Sequence, residues 1–434
     1  MRALLRSMND PDHASAQRAI EAIWRIEGAR VIGRVAHMVR DVGLAEESAQ
    51  DALVAALEHW PRSGVPDSPA AWLTTAAKRR ALDYLRHEQV IADKTGALAF
   101  ESDFRHESAG DELSARVDAA LDDTIGDDLL RLMFTACHPV LSSQARCALT
   151  LRLMGGLTTE EIARAYLKPE PTIAQRIVRA KRTLAAARVP FEVPIGPDLL
   201  ARLPPVLEVL YLIFNEGYAA TSGEDWMRPA LCDEAVRLGR ILAGLMPEES
   251  EVHGLVALME IQASRFAARI SSDGEPVLLL DQDRSRWDHL LIRRGLDALA
   301  RAEALPGPPG PYAIQAAIAA CHARATRADQ TDWVHIAALY DALARITPSP
   351  VVTLNRAVAV SMAFGPAAAL EIVDTLLDES DLQNYHLLPS VRGDLLARLE
   401  RFGEARVEFE RASRMAHNAR ERGLLMARAA RCGR

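Results

Sequence analysis

Cysteine is scarce in this chain, and the few cysteines it has are scattered. There are five among 434 residues, and no two of them form a CxxC pair. An odd number of scattered cysteines indicates neither a disulfide framework nor a zinc site. Cys137 stands beside His138, but adjacent residues make a poor chelate, so we expect buried thiols and no bound metal.

Long apolar runs and aromatic residues are also in short supply. No apolar run approaches the roughly 20 residues that cross a membrane, and the N-terminal stretch lacks the apolar core of a signal peptide. We therefore expect a cytoplasmic protein. Aromatic residues make up 5% of the chain and hydrophobic residues 49%, with Ala and Leu abundant. This composition favours helices over sheets and predicts an all-α, multi-domain protein.

Acidic side chains outnumber basic ones overall, but the charge is unevenly distributed. The net charge of −8 argues against a general nucleic-acid binder. Residues 129–190 nevertheless carry 10 basic and 3 acidic side chains, a balance of +7. The balance is −8 for residues 91–128 and −7 for residues 191–434. One compact segment is therefore strongly basic.

Hydrophobic periodicity divides the chain into four segments. Residues 1–90 contain three amphipathic helices, with a loop rich in Pro, Gly and Ser at 61–70. Residues 91–128 lose the periodicity and are predicted to be an acidic interdomain linker whose end begins the next helix. Residues 129–190 hold several short helices, and residues 191–434 are again mostly helical.

The basic segment contains the signature of a helix-turn-helix. Ser142 is expected to cap one helix, which ends at a Gly-Gly pair. Thr158 and Glu161 form a capping box at the start of a second helix, and Pro171 suits the first position of a third. Two short helices joined by a tight turn predict a helix-turn-helix at 158–184.

The last helix of this motif has one apolar and one basic face. The apolar stripe comprises Ile173, Ile177, Ala180 and Leu184. The polar residues opposite are Gln175, Arg176, Arg179 and Arg182. Arg and Gln pair with base edges in the major groove, while Lys181 and Arg182 can reach phosphates. A solvated amphipathic helix is the alternative, but the capped helix before it and the local positive charge favour DNA.

The third N-terminal helix carries a second basic cluster. It comprises Lys78, Arg79, Arg80, Arg86 and His87. Trp72 lies near the start of this helix, beside the 61–70 loop, where an aromatic ring and basic residues can trap an unstacked base. A core tryptophan beside an exposed basic turn is the alternative, and spacing alone favours it. Glu46, Glu47 and Asp51 of the preceding helix are expected to be solvated or to dock a protein.

Two stretches resemble one protein family. "LAEESAQDALVAALEHW" followed by "PAAWLTTAAKRRALDYLR" resembles region 2 of an extracytoplasmic-function (group IV) sigma factor of the sigma-70 family. "LTTEEIARAYLKPEPTIAQRIVRAKRTL" resembles region 4 of the same family. The resemblance implies a subunit that directs core RNA polymerase to promoter DNA, with no catalytic centre and no cofactor.

The resemblance also implies roles for individual residues. Those facing the clamp helices of the polymerase β′ subunit would be Glu47, Gln50, Asp51 and Leu53. Those at the downstream (−10) promoter element would be Trp72, Lys78, Arg79, Arg80 and Arg86. Those at the upstream (−35) element would be Thr172, Gln175, Arg176, Arg179, Lys181 and Arg182. Arg79 stands where many members carry Asn, which bears on the base preference at the downstream element.

Residues 191–434 resemble the long tetratricopeptide-like extension of one sigma-factor subgroup. "AFGPAAAL" (363–370) and "RFGEARVE" (401–408) superpose at an offset of 38 residues, which predicts helical hairpins with Gly at the bend. "FNEGYAA" (214–220) and "DQDRSRWD" (281–288) resemble signatures of that subgroup with no chemistry attached. We expect the extension to be a regulatory domain that can hold a protein partner.

Two other functions fit parts of the sequence. A helix-turn-helix regulator with a helical sensor domain explains the basic segment, but it has no use for a module that resembles region 2. An enzyme would need a metal or acid/base cluster in the C-terminal part. The candidate cluster comprises Asp281, Asp283, Asp288 and His289. We expect these side chains instead to cap helices and to pair with Arg284, Arg286 and Arg293.

Overall fold

The chain folds into two compact units, Met1–Val209 and Leu210–Arg434. The computed structural model describes residues 11–94, 121–166, 168–219, 227–271 and 276–432. Within these ranges the regular structure is helical, and extended backbone forms an isolated bridge between Ile270 and Pro276. The predicted all-α fold class is confirmed. None of the described helices combines the length and the apolar character needed to cross a membrane.

Among the described residues, eight helices begin in the N-terminal unit. They are α1 (Pro11–Val39), α2 (Val42–Ser63), α3 (Pro69–Lys94), α4 (Leu121–Ala136), α5 (Ser143–Leu153), α6 (Thr159–Ala165), α7 (Glu170–Ala186) and α8 (Pro197–Tyr218). The division between the two units falls inside α8, after Val209. The N-terminal unit therefore extends past the boundary that the sequence predicts after residue 190.

Small residues let the first three helices pack closely. The α2 helix buries Ala45, Ala49, Ala52 and Ala56 completely, at the three- and four-residue spacing of one helical stripe. It begins at a cap in which the Asp41 carboxylate accepts a hydrogen bond from the Leu44 amide. Helices α1 and α3 both pack against α2, which gives a three-helix bundle.

The helix-turn-helix has the caps that the sequence predicts. Ser142 Oγ accepts a hydrogen bond from the Ala145 amide at the start of α5. Thr158 Oγ1 accepts from the Glu161 amide at 3.1 Å, and the Glu161 carboxylate accepts from the Thr158 amide at 2.8 Å. The predicted capping box is thus confirmed. Helix α7 begins at Glu170, so Pro171 occupies its second position rather than its first.

Both ends of the predicted linker are helical. Helix α3 continues to Lys94, and α4 begins at Leu121, so the segment 91–128 is shorter as a linker than the sequence indicates. Acidic residues are favoured at a helix N-terminus, so the acidic start of α4 is compatible with a helix. For this reason the loss of apolar periodicity did not locate the end of the linker. Residues 95–120 lie outside the described residues.

The described part of the C-terminal unit adds ten helices. They are α9 (Pro229–Leu245), α10 (Ser250–Ala263), α11 (His289–Ala304), α12 (Pro311–Arg324), α13 (Trp333–Ile346), α14 (Pro350–Phe364), α15 (Pro366–Asp374), α16 (Leu387–Arg398), α17 (Phe402–Met415) and α18 (Ala419–Arg431). Consecutive helices pack on one another along this series. The segment before Trp287 forms two short 3₁₀ turns, Leu279–Asp281 and Arg284–Arg286.

The two predicted repeat copies form hairpins with different bends. Gly365 joins α14 to α15 at φ +100, a conformation that favours glycine. In the second copy Gly403 lies inside α17, so the predicted glycine bend is wrong there. Glu400 adopts φ +62 instead, and the Arg401 amide donates to the Leu396 carbonyl at 2.9 Å. This left-handed cap ends α16 without glycine.

Candidate nucleic-acid interface

Helix α7 buries the stripe that the sequence predicts. Ile173, Ile177, Ala180 and Leu184 are its buried residues, which confirms the predicted apolar face. Helices α5 and α6 supply the surface against which this stripe packs. The opposite face of α7 is consequently held outward by its own scaffold, as a recognition helix requires.

A groove of about 350 Å³ lies along the outward face of α7. Four of the six residues predicted for the upstream element line it: Thr172, Gln175, Arg176 and Arg179. Three of these four are exposed, and Arg176 is half-buried. The other side is lined by residues around the start of α5: Val140, Leu141, Ser142 and Ala145. The groove therefore offers guanidinium and amide groups, which pair with base edges, along a single helix face.

The other two predicted residues of α7 lie outside this groove. Arg182 is exposed to solvent. Lys181 points instead towards α2, where its Nζ donates to Glu46 at 2.8 Å and to Glu47 at 3.3 Å. Burial alone would lower the pKa of Lys181, but the charges and hydrogen bonds of Glu46 and Glu47 outweigh it and raise that pKa. In this arrangement the Lys181 amine is held by two carboxylates, an ion pair that the sequence did not predict.

Glu46 is the centre of an ion-pair cluster that joins two modules. Its side chain is 4% exposed and accepts from Arg152 Nε at 2.9 Å as well as from Lys181. We call Glu46, Arg152 and Lys181 the intermodule cluster, because it ties α2 to α5 and α7. The sequence predicted Glu46 to be solvated or to dock a protein. The surface it docks is on the same chain, and its partners are too distant in sequence for local patterns to reveal them.

Two weaker contacts accompany the intermodule cluster. Asp128 of α4 accepts from Arg131 at 2.9 Å, and its carboxylate lies 2.9 Å from His37 Nδ1 of α1. Arg25 of α1 pairs with Glu161 of α6 at 3.1 Å, but the Arg25 side chain is largely exposed and contributes little. These contacts and the intermodule cluster all lie within the N-terminal unit.

The predicted polymerase-facing residues lie on the exposed side of α2. Glu47 and Asp51 are exposed, and Gln50 and Leu53 are half-buried. Val54, which the sequence analysis did not single out, is an exposed apolar residue one turn after Gln50. The result is an acidic surface with an apolar component, and Glu47 at its edge also contacts Lys181.

The second predicted DNA-binding cluster is divided between a core edge and an open face. The Trp72 ring is half-buried and meets the buried Trp60 edge-on, with ring centroids 5.3 Å apart. Trp72 therefore has features of both interpretations: it packs against a core residue, and part of its ring remains accessible to an unstacked base. Lys78 is half-buried, whereas the three arginines, Arg79, Arg80 and Arg86, are exposed.

The exposed face of α3 also carries apolar residues that the sequence analysis missed. Leu82, Tyr84 and Leu85 are all substantially exposed on α3. An aromatic ring beside arginines is the combination that stacks on unpaired bases. Helical spacing could not have revealed the exposure of Tyr84, because this residue continues the buried stripe of Leu73, Ala77 and Ala81 by one turn.

The acidic group of the C-terminal unit is structural. Asp288 accepts from the amides of Leu290 and Leu291, and Asp283 accepts from the Ser285 amide, so both act as predicted caps. Arg284 does not pair with them as expected; it donates to the carbonyls of His322 and Ala325 instead. Among the described residues, no group of three or more His, Cys, Asp or Glu side chains is arranged to hold a metal ion.

Family models match three parts of the chain. Residues 24–90 match Sigma-70 region 2, and residues 131–184 match Sigma-70, region 4. Residues 202–303 match a family of unknown function, DUF6596. The first two matches cover the three-helix bundle and the helix-turn-helix described above.

Similar proteins include both a full-length relative and sigma factors. Uncharacterized protein R00370 of Rhizobium meliloti is 45% identical over 393 residues, which is 90% of either chain. The ECF RNA polymerase sigma factor SigK of Mycobacterium tuberculosis (H37Rv) is 32% identical over 186 residues, 42% of this chain and 90% of SigK. SigK of Mycobacterium ulcerans is 32% identical over 159 residues, 36% of this chain and 78% of the relative. No solved structure matches the chain.

These matches define the class of protein. The chain belongs to the extracytoplasmic-function RNA polymerase sigma factors, and it carries a helical C-terminal extension that matches DUF6596. The alternative of a simple helix-turn-helix regulator is not favoured, because that class has no counterpart of region 2.

Proposed function

We propose that this chain is a promoter-specificity subunit that binds core RNA polymerase in the cytoplasm and directs it to promoters with defined upstream and downstream elements. The observation that carries the proposal is the groove on α7, which presents Gln175, Arg176 and Arg179 outward on a helix whose other face is buried. Its role is binding and positioning, with the chemistry of RNA synthesis left to the polymerase.

The proposal assigns a separate binding role to each of three surfaces. The groove of α7 reads the upstream element, with Arg182 as a phosphate contact. The exposed face of α3, with Arg79, Arg80 and Arg86 beside Trp72 and a contribution from Lys78, takes the downstream element. The exposed side of α2, from Glu47 to Leu53, docks on the clamp helices of the β′ subunit. Acidic and apolar side chains at this last surface suit a protein partner better than DNA.

The compact N-terminal unit is too small to read both elements at once. Their separation of about 25 base pairs corresponds to about 85 Å of duplex at 3.4 Å per base pair. A compact unit of this length has a radius of gyration of about 17 Å. We therefore propose that α7 and its scaffold separate from α2 when polymerase and promoter are bound, which requires the intermodule cluster to break.

We further propose that the C-terminal unit regulates this sigma factor. Residues 191–434 carry a balance of −7, so extra promoter affinity is not a reason for their presence. Stacked helical hairpins are surfaces on which other proteins commonly dock. A protein partner, or a small ligand, held by the C-terminal unit could then shift the balance between the closed and separated modules.

Transcription from a randomised promoter library tests the proposed function. Purified core polymerase would be assayed with and without the chain, and the transcribed templates would be sequenced. We expect enrichment of a two-part motif that appears with the chain and is absent with core polymerase alone. Transcript pools that are identical with and without the chain would contradict the proposed function.

A further inference from the structure

Two sequence signatures that the sigma-factor role leaves unexplained meet at one place in the C-terminal unit. Tyr218 belongs to "FNEGYAA" and Trp287 to "DQDRSRWD". The Cζ atom of Arg265 lies 5.7 Å from the Tyr218 ring centroid and 6.0 Å from the Trp287 ring centroid. We call Tyr218, Arg265, Arg269, Arg284 and Trp287 the arginine–aromatic cluster. All five lie within the stretch that matches DUF6596.

Arg265 is the central member of this cluster, because its Cζ atom lies within 6.0 Å of both ring centroids. Its side chain is nine-tenths buried, with 9% of the residue exposed, and its Nε has no hydrogen-bond partner. Two carboxylates on the helices that precede it, Glu216 and Glu260, pair with other arginines, Arg228 and Arg240. Trp287 is also buried, and its indole N–H likewise has no partner among the described residues. Buried charges and donors are normally paired, so two such donors beside one another indicate a missing acceptor.

Further positive charge surrounds Arg265. Arg269 is buried, and its Cζ lies 3.5 Å from the Tyr218 ring centroid. Burial and, less strongly, the charge of Arg265 lower the pKa of Arg269. Arg284 lies over the Trp287 ring at 4.9 Å and is fixed by the carbonyls of His322 and Ala325. The cluster thus gathers three guanidinium groups whose mutual repulsion an anion would relieve.

His322 is also affected by the positive charge of the cluster. It is buried beside the cluster, and its Nδ1 has no partner among the described residues. Burial first, and then the charges of Arg265 and Arg284, lower its pKa to about 4. The imidazole is therefore neutral at pH 7 and adds a polar group without adding charge.

We propose that the arginine–aromatic cluster binds one oxyanion group, a carboxylate or a phosphate, of a small ligand. The Arg265 guanidinium and the Trp287 indole N–H donate to its oxygen atoms, and the ring of Tyr218 flanks it. Guanidinium groups match the geometry of both oxyanions, whereas a cation or an uncharged ligand would leave the cluster unbalanced. The buried setting limits the site to a small anionic group rather than an extended polyanion such as nucleic acid.

Anion-dependent thermal unfolding of the full-length chain tests the proposal. Inorganic phosphate and benzoate are titrated separately against sodium chloride at equal ionic strength. We expect at least one of them to raise Tm in a saturable manner, and comparison of the two distinguishes a phosphate from a carboxylate site. In Arg265→Gln the half-saturating concentration should rise at least tenfold. The matched control is Arg286→Gln, an exposed arginine in the 3₁₀ turn that also holds Arg284, which should respond like the wild type.

Two outcomes would overturn the proposal. One is a wild-type Tm that phosphate and benzoate raise no more than chloride does, as expected if an acidic side chain from outside the described residues already pairs with Arg265. The other is an Arg265→Met variant that still responds like the wild type. This variant keeps the length of the side chain while removing an uncompensated buried charge, so we expect it to fold with a Tm at least as high as that of the wild type.

Discussion

Lys181 Nζ lies 2.8 Å from Glu46 Oε2, although 135 residues separate the two in sequence. The ion pair ties α7, which carries the proposed upstream-element groove, to α2, which carries the proposed polymerase surface. Glu47 belongs to that surface and accepts from the same amine at 3.3 Å. Docking of polymerase and docking of α7 therefore draw on the same part of α2, and the two events are expected to compete.

Glu46→Gln should separate the two modules. The substitution leaves Arg152 and Lys181 without their shared carboxylate, and breaking such a buried arrangement costs about 3 kcal/mol. Spin labels at the exposed positions Ile26 and Val178 would report the distance between α1 and α7. We expect a broader and longer distance distribution in Glu46→Gln and no change in the control Asp51→Asn, which alters an exposed carboxylate of the same helix. An unchanged distribution in Glu46→Gln would count against the intermodule cluster as the main tie.

Arg176→Ala and Arg179→Ala should each weaken binding to the cognate upstream element by about 1–3 kcal/mol. Both side chains line the groove on α7 that is proposed to read the upstream element. Arg182→Ala is the matched control, because this exposed arginine lies outside the groove and should weaken all sequences alike. Fluorescence anisotropy on cognate and scrambled duplexes measures the difference. Equal losses on both duplexes for Arg176 and Arg179 would show that they contribute charge alone.

Replacing Gln50 and Asp51 together by Lys should weaken assembly with core polymerase. The change reverses the charge of the α2 surface without touching its buried alanine stripe. Glu58→Lys, at an exposed position in a later turn of α2, controls for charge alone. Size-exclusion chromatography with core polymerase measures complex formation. Equal complex formation by the double variant and the control would place the docking surface elsewhere.

The position of a truncation should decide whether the N-terminal unit stays folded. Arg202 of α8 donates to the Phe134 carbonyl at 2.9 Å, and Glu208 pairs with Arg146 at 3.1 Å. A cut after Val193 removes both contacts, whereas a cut after Val209 keeps them. We expect a lower Tm for the shorter fragment and a change of more than tenfold in promoter-dependent transcription for the longer one. Transcription by residues 1–209 that matches the full chain would exclude a regulatory C-terminal unit.

Acidification should destabilise the C-terminal unit through His322. Its pKa is lowered from 6.5 to about 4 by burial and by the charges of Arg265 and Arg284. The unfolded chain takes up a proton below pH 6.5 while the folded unit does not, so the free energy of unfolding falls between pH 6.5 and about 4, by up to about 3 kcal/mol. Denaturant titrations measure the free energy of unfolding at pH 7 and at pH 4.5. The decrease between the two pH values should be smaller in His322→Gln than in the wild type. An equal difference in both would assign the pH dependence to other groups.

Local features of the fold were predictable because their causes are local. The capping box of Thr158 and Glu161 and the buried stripe of α7 depend on residues three or four positions apart. The bend at Gly365 follows from glycine's tolerance of positive φ. The second bend could not be predicted in this way, because Glu400 adopts the left-handed conformation that the sequence pattern assigned to glycine.

The candidate interface was predictable in part. Four of the six α7 residues lie together because helical spacing alone sets their direction. The ion pair of Lys181 was not predicted, because its partner Glu46 is 135 residues away and short-range patterns do not reveal such a contact. The buried Arg265 was missed for the same reason, since an arginine is expected to be exposed unless tertiary structure dictates otherwise.

Run-off transcription in a two-by-two design tests most directly whether Arg176 and Arg179 read the upstream promoter element. Wild-type chain and the Arg176→Ala, Arg179→Ala double variant are each assayed with core polymerase on promoters with a cognate or a scrambled upstream element. We expect strong transcription only for the wild type on the cognate promoter, and equally weak transcription in the other three combinations. Transcription by the double variant that still distinguishes the two promoters as the wild type does would contradict this expectation.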